Sequence, residues 1–438
     1  MEGAPVAAGV LKKRTFTKAI FKRDQIIPFF DLMRSERVAL IGIGDSNQIL
    51  SGHGVNHGWH HALSSAGFRM WGTGIVSANE NNGSGTSAGM GYAHLPFKIG
   101  YSTGAPAELD KYFSIGQGTI APGNYAYLAD NASFANNNNG FSLSTVPINL
   151  ASNLEWGAYY GTFPSGTAQM RLGIRIGESP FTTLAQGNTI NPVTGSYGIS
   201  STTLLLPAAA RGYVIQGQVY NSVAAVPLDG PAFLTYQRWI DRDMQIGYSY
   251  QDLDYHGGVG FRNMAKDLQQ ASTDYLTHYI SAVREPLGAN KAILFTILSG
   301  VNDRNETLAS LGPQAVADGD SPEAYVDNVD AIITRLLSIF DNAGWSTSNV
   351  YFLIIPSPIV SSPDDAELVS YRLAIDSVAI NNQKSAIAHF ERLMDYSEMT
   401  TTSNQGCYYA ATCTDFVHFV ASGYERMYRK LLQAILSN

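Results

Sequence analysis

Val38-Ala39-Leu40-Ile41-Gly42-Ile43-Gly44-Asp45-Ser46-Asn47 is the stretch that decides the fold. Val38–Ile43 carries no polar side chain on either alternate set of residues. A strand that is apolar on both sides is covered on both sides, the condition of a strand in a parallel sheet between two layers of helices. Gly44 closes the run, and Asp45–Asn47 has the residue types that open a turn. Outward from it, Lys291–Leu298 and Val350–Ile355 repeat the pattern, Met70–Ser77 reads as a strand, and Ala388–Met394 as the last one. Helices are expected between and after them: Trp59–Ala66, stopped by Gly67, then Phe261–Arg284, Ala366–Ser385 and Ser422–Leu436. A further helix opens at Ser321-Pro322-Glu323, with serine as N-cap and proline at the first helical position, and stops at Gly344. Alternating strands and helices give an α/β fold, a parallel sheet with helices on both faces.

The texture changes between about Tyr101 and Tyr250. Gly- and Asn-rich turns separate short runs such as Gly157–Phe163, Met170–Ile176, Gly212–Tyr220 and Phe233–Ile240. Strands at this spacing predict a β-sandwich. With 438 residues the chain exceeds one typical domain. The expected division is an N-terminal arm over 1–36, an α/β domain in two parts over 37–100 and 250–438, and an inserted all-β sandwich over 101–249.

Hydrophobic residues make up 45% of the chain, enough for sizeable cores, and charged residues only 15%. The net charge of −8 argues against a nucleic-acid partner. The basic stretch Lys12, Lys13, Arg14, Lys18, Lys22 and Arg23 is short and diluted with Phe and Ile. The opening MEGAPVAAGV lacks the charged and apolar regions of a signal peptide. No run approaches the roughly 18 apolar residues of a membrane span. A cytoplasmic protein, a component of a virus particle and a mature secreted chain all stay open, as does assembly through the arm into a homo-oligomer or virion.

Three segments carry the chemistry: Gly44-Asp45-Ser46-Asn47 after the first strand, Gly300-Val301-Asn302-Asp303 after the strand at 291–298, and Asp415-Phe416-Val417-His418 near the C-terminus. The carboxyl ends of parallel strands share one edge, where ligands bind. A serine hydroxyl needs a base within hydrogen-bond reach. His418 can take the proton of Ser46, and Asp415 can fix the imidazole tautomer. The tetrahedral intermediate needs donors for its oxyanion, and the Asn302 amide and backbone N–H groups near Ser46 and the glycine loop are candidates.

These segments resemble the four blocks of the SGNH (GDSL-like) hydrolases, whose fold is a flavodoxin-like three-layer α/β/α sandwich. Ser46 matches the block I serine in a GDSN variant, Asn302 the asparagine of G-x-N-D, and Asp415 with His418 the D-x-x-H of block V. Asn82-Gly83-Ser84-Gly85 resembles the block II region, with Gly83 the first choice for its glycine and Gly85 the second. The resemblance implies an oxyanion hole from the N–H groups of Ser46 and Gly83 and the amide of Asn302. Asp45 and Gly300 are secondary site candidates. It covers roughly 37–100 and 250–438.

Gly85-Thr86-Ser87-Ala88-Gly89 fits the nucleophile elbow G-x-S-x-G, but that motif follows a strand, and Asn79-Glu80-Asn81-Asn82 is polar. His53, His57, His60 and His61 include an i, i+4 pair of the kind that binds zinc. No carboxylate lies among them and serine hydrolysis needs no metal, so neither metal nor cofactor is expected. Cys407 and Cys413 could bridge or stay free; a bridge would stiffen the segment that leads to Asp415.

The 24 tyrosines include Tyr125, Tyr127, Tyr159, Tyr160, Tyr213, Tyr220, Tyr236 and Tyr248, which with Trp156 and Trp239 could stack on sugar rings or fill cores. Inserted modules in SGNH enzymes often accompany carbohydrate esterases, which implies removal of acetyl groups from a glycan. An acetylated carbohydrate is thus the expected partner. The alternatives are a virion or cell-surface structural or receptor-binding protein with an SGNH-like domain of low or no activity, and a lipase or thioesterase.

Overall fold

The computed structural model describes residues 19–45, 57–77, 126–127, 140–142, 153–162, 170–176, 182–191, 195, 198–205, 215–221, 233–255, 260–271, 273–299, 303, 321–356, 364–393 and 421–437. Its strands are β1 (Ile20–Phe21), β2 (Arg37–Gly44), β3 (Met70–Ser77), β4 (Ala126–Tyr127), β5 (Gly140–Ser142), β6 (Leu154–Thr162), β7 (Met170–Ile176) and β8 (Thr182–Ile190). They continue with β9 (Gly198–Leu205), β10 (Ile215–Asn221), β11 (Phe233–Asp241), β12 (Gly247–Tyr255), β13 (Ile293–Ser299), β14 (Val350–Pro356) and β15 (Ser385–Ala388). The helices are α1 (Ile27–Leu32), α2 (His57–Ser65), α3 (Phe261–Gln270), α4 (Thr273–Leu287), α5 (Pro322–Asn342), α6 (Asp364–Ala374), α7 (Asp376–Asn381), α8 (Phe390–Leu393) and α9 (Ala421–Leu436).

The central sheet runs β1-β15-β14-β13-β2-β12-β3-β11-β6-β9, with β4 beside β11. From β15 to β3 every neighbouring pair is parallel. Setting β3 aside, β2, β12, β13, β14 and β15 stand in the order 2-1-3-4-5, the flavodoxin-like order. The wholly apolar strands bury alternate residues in two cores. Ala39, Ile41 and Ile43 pack with Phe295 and Phe352 under α3, α4 and α5, through Phe261, Ile280 and Ile333. Val38 and Leu40 pack on the other face with Phe30 of α1, Trp59 of α2 and Tyr428 of α9. The expected three α/β/α layers follow from this division.

Several boundaries differ from the sequence reading. Of the stretch 1–36 expected to be an N-terminal arm, residues 19–36 are described and belong to the fold. β1 pairs antiparallel with β15, and Ile26, Phe29 and Phe30 are buried. The helix expected over Phe261–Arg284 is two helices. Arg335 on α5 ends α3 by donating to the carbonyls of Leu268 at 3.0 Å and Ala271 at 2.7 Å, which a continuous helix would need for itself. Ala366–Ser385 is likewise α6 and α7, and the last strand is Ser385–Ala388, with α8 where a strand was expected. Ser321 does cap α5, its hydroxyl accepting from Ala324 N–H at 3.2 Å.

The largest correction concerns the insertion. A sandwich of its own was expected over 101–249. Among the described strands, β11 instead pairs antiparallel with β3, and β6 and β9 follow it, so the α/β sheet continues into the insertion. β5, β10, β7 and β8 form a separate four-stranded antiparallel sheet. The expected boundary at 249 falls inside β12, which lies in the centre of the sheet between β2 and β3.

The junction with the insertion is held by buried charge. Arg238 on β11 donates to the Ala282 carbonyl of α4 at 2.6 Å and pairs with Glu285. Glu155 on β6 accepts two bonds from Arg242, at 2.8 and 2.7 Å. Arg37 opens β2 by donating to the carbonyls of Met244 and Pro286, both at 2.6 Å. Each buried cation thus meets a carboxylate or a carbonyl, as burial of charge requires.

Candidate functional site

Doubly wound sheets bind ligands where the strand order reverses, in the crevice beyond the carboxyl ends. Here the reversal lies between β2 and β13. The two strands are parallel neighbours, with Leu298 opposite Gly44. Tyr255, the last residue of β12, stands beside Gly44 on the other side. One rim therefore gathers the exits of three strands.

Asp45 stands at the first exit. It is 1% exposed, and its backbone N–H donates to the Leu298 carbonyl at 3.1 Å. This bond carries the β2–β13 pairing one residue beyond β2, so the chain is fixed up to the residue before Ser46.

Asp303 stands beyond the second exit. It is fully buried, and its Oδ1 accepts from the Phe261 N–H, at the start of α3, at 2.8 Å. That N–H belongs to the first turn and has no partner within the helix. The approach is close enough to require glycine at 260: a β-carbon there would stand 2.5 Å from the Asp303 carboxyl carbon. The sequence reading quoted Asp303 as the last letter of G-x-N-D and gave it no role. The available signal was a glycine directly ahead of a predicted helix start.

The third segment precedes α9. Arg23 donates to the Ile435 carbonyl at 2.8 Å, and Gln25 accepts from Ser385 N–H at 2.9 Å, so α9 ends at the amino edge of the sheet. Its sixteen residues rise about 24 Å, the length of a seven-residue strand, so Ala421 begins at the carboxyl-edge side. All three described flanks thus lie toward one edge. Ser46, Gly83, Gly85, Ser87, Gly300, Asn302, Cys407, Cys413, Asp415 and His418 lie outside the described residues.

Of the histidine group, His60 contacts the Tyr248 hydroxyl at 2.7 Å, and His61 meets Glu425 at 3.2 Å and Arg429. Both are engaged with protein groups. His53 and the side chain of His57 lie outside the description. Among the described residues no group of three or more His, Cys, Asp or Glu could hold a metal ion. None of the described helices is long and apolar enough to cross a membrane.

Those of the candidate aromatics whose side chains are described offer no face to a sugar. Trp156 and Tyr248 are fully buried, and Tyr159 and Tyr160 are each 7% exposed. Burial pushes the Tyr159 hydroxyl up to about 12, with Arg238 opposing and Glu285 and Glu155 adding to the rise. Burial raises Tyr248 as well. The side chains of Tyr125, Tyr127, Tyr213, Tyr220, Tyr236 and Trp239 lie outside the described residues.

No protein-family model matches the sequence, and no match was found among curated proteins. Solved structures do resemble it. A peptidoglycan O-acetylesterase superposes with a TM-score of 0.53 at 12% identity, covering 95% of this chain and 98% of its own. Est24, a carbohydrate acetylesterase from Sinorhizobium meliloti, gives 0.25 at 13% identity, covering 42% of this chain and 78% of its own. A family two carbohydrate esterase from Clostridium thermocellum gives 0.28 at 9% identity, covering 65% and 90%. The first likeness spans both chains nearly end to end, and at that identity it is a likeness of fold.

Proposed function

The chain has the fold of the SGNH hydrolases, and on that premise we propose that it is a serine esterase with Ser46 as nucleophile, His418 as base and Asp415 as its orienting acid. The observation that carries the reading is the seam at the switch point. Asp45, bonded through its N–H to Leu298, directly precedes Ser46, and buried Asp303 directly follows Asn302. Ser46 and Asn302 are thus sequence neighbours of fixed points beyond the ends of two adjacent strands.

Ser46 Oγ attacks the ester carbonyl and passes its proton to His418. The negative charge that develops on the carbonyl oxygen is met by the Asn302 amide and the N–H groups of Ser46 and Gly83. The C–O bond breaks, and the leaving alkoxide takes the proton from His418. Water then attacks the acyl-Ser46, giving its proton to His418, and the carboxylic acid leaves as the serine recovers its hydrogen.

The favoured ester is an O-acetyl group on a glycan, through an acetyl-Ser46 intermediate. The end-to-end likeness in fold to a peptidoglycan O-acetylesterase supports that choice of substrate class. A fluorophosphonate probe should label the folded protein at Ser46, and the enzyme should release acetate from O-acetylated polysaccharide. Unlabelled folded protein overturns the enzyme; faster turnover of long acyl esters than of acetylated glycan overturns the substrate and favours a lipase or thioesterase.

A further inference from the structure

We propose that Asp303 is a positioning residue of this esterase site, fastening the chain at the residue after Asn302 to the start of α3 and so aiming the oxyanion amide. The inference rests on the assignment of Asn302 made above. Three observations carry it. Asp303 is fully buried, where a carboxylate is retained only with strong partners. Its Oδ1 receives the Phe261 N–H at 2.8 Å, at the helix end whose dipole favours negative charge. Gly260 admits the carboxyl group to a distance that no side chain would allow.

The anchor is itself firm. Phe261 is buried and packs against the Tyr325 ring of α5, with centroids 5.0 Å apart. Arg335, also on α5, holds the far end of α3 through the Leu268 and Ala271 carbonyls. At the other end, Ser299 closes β13 in register with Pro356. The residues on either side of 300–302 are therefore fixed, Ser299 to the sheet and Asp303 to a braced helix. A preorganised donor gains its effect from such fixity, since a displacement of about 1 Å can cost on the order of 10²-fold in rate.

The test is a kinetic cycle on the full-length protein with p-nitrophenyl acetate. Asp303→Ala should lower kcat by about 10- to 100-fold with KM changed by less than about twofold, the split expected when a contact made only in the transition state is lost. Asp303→Asn keeps an acceptor for the Phe261 N–H and should stay within about threefold of wild type. In an Asn302→Ala background, Asp303→Ala should cost little more, because both act on one donor. Full multiplication of the two losses, or an unchanged kcat in cooperatively folded Asp303→Ala, overturns the inference. If the wild-type chain is not labelled at Ser46 by a fluorophosphonate, the premise fails and the inference fails with it.

Discussion

The Tyr428 ring lies so close over Gly58 that a β-carbon at residue 58 would stand 2.2 Å from Tyr428 Cδ2. Gly58 is in the first turn of α2 and Tyr428 in the middle of α9, so a single hydrogen side chain sets how near these helices approach. Both helices also share Trp59, whose ring centroid is 5.0 Å from that of Tyr428. Gly58→Ala is expected to destabilise the protein by about 1–3 kcal/mol through overpacking. Adding Tyr428→Leu should recover part of the loss. Thermal melts of the three variants measure this, and purely additive losses would show that the ring is not what Gly58 accommodates.

The proposed chemistry ranks its residues. Ser46→Ala should lower kcat by on the order of 10⁴–10⁶-fold. Asn302→Ala should lower it by about 10²–10³-fold, the loss of one oxyanion donor. Ser87→Ala should leave it unchanged. Loss of activity in Ser87→Ala with survival in Ser46→Ala would transfer the nucleophile to the G-x-S-x-G segment.

Arg238 joins the insertion to the α/β layer. Its side chain is 5% exposed, that of Glu155 9%, and their charged atoms are 3.7 Å apart. Arg238→Met removes a buried cation while keeping much of its stem packing, and should destabilise by about 3 kcal/mol. Arg238→Met combined with Glu155→Gln should cost less than the sum of the singles. Urea unfolding of the cycle gives the coupling; a coupling of zero would mean that Arg242 alone satisfies Glu155.

Tyr159 predicts an alkaline effect. Its hydroxyl is held near 12 by burial, against about 10 for an unfolded tyrosine. As pH rises the unfolded chain loses this proton first. The stability gained by keeping the phenol neutral is whole below about pH 10 and is lost between there and about pH 12. Tyr159→Phe should therefore unfold with a shallower pH dependence in that window. Parallel stability curves for the two proteins would contradict it.

The apolar strands were legible because β2, β13 and β14 are covered on both faces, and a run without polar residues has few other places to go. The cap at Ser321 was legible because its hydrogen bond is local. β12 was not. Its sequence, Gly247-Tyr248-Ser249-Tyr250-Gln251-Asp252-Leu253-Asp254-Tyr255, looks like an exposed strand. It sits at the sheet centre because its polar side chains are satisfied there, one by a distant strand and one by its own neighbour: Gln251 Nε2 donates to the Leu40 carbonyl at 2.7 Å, and Ser249 Oγ donates to Gln251 Oε1 at 3.3 Å. The break between α3 and α4 was hidden for the same reason, since Arg335 is remote in sequence. At the site, residue types and order pointed to Ser46, Asn302, Asp415 and His418. The partner of Asp303 could not be read, because a helix N-terminus accepts a carboxylate from any part of the chain.

The position of β12 has a consequence for how the polypeptide acquires its shape. As the nascent chain leaves the ribosome, β2 and β3 emerge early, yet they never become neighbours: the keystone between them is made only after residues 78–246 have been synthesised. Closing that gap is a long-range event of the kind that slows assembly. An excision that trims the insertion must therefore leave 247–255 in place, or it removes the middle of the arch along with its decoration.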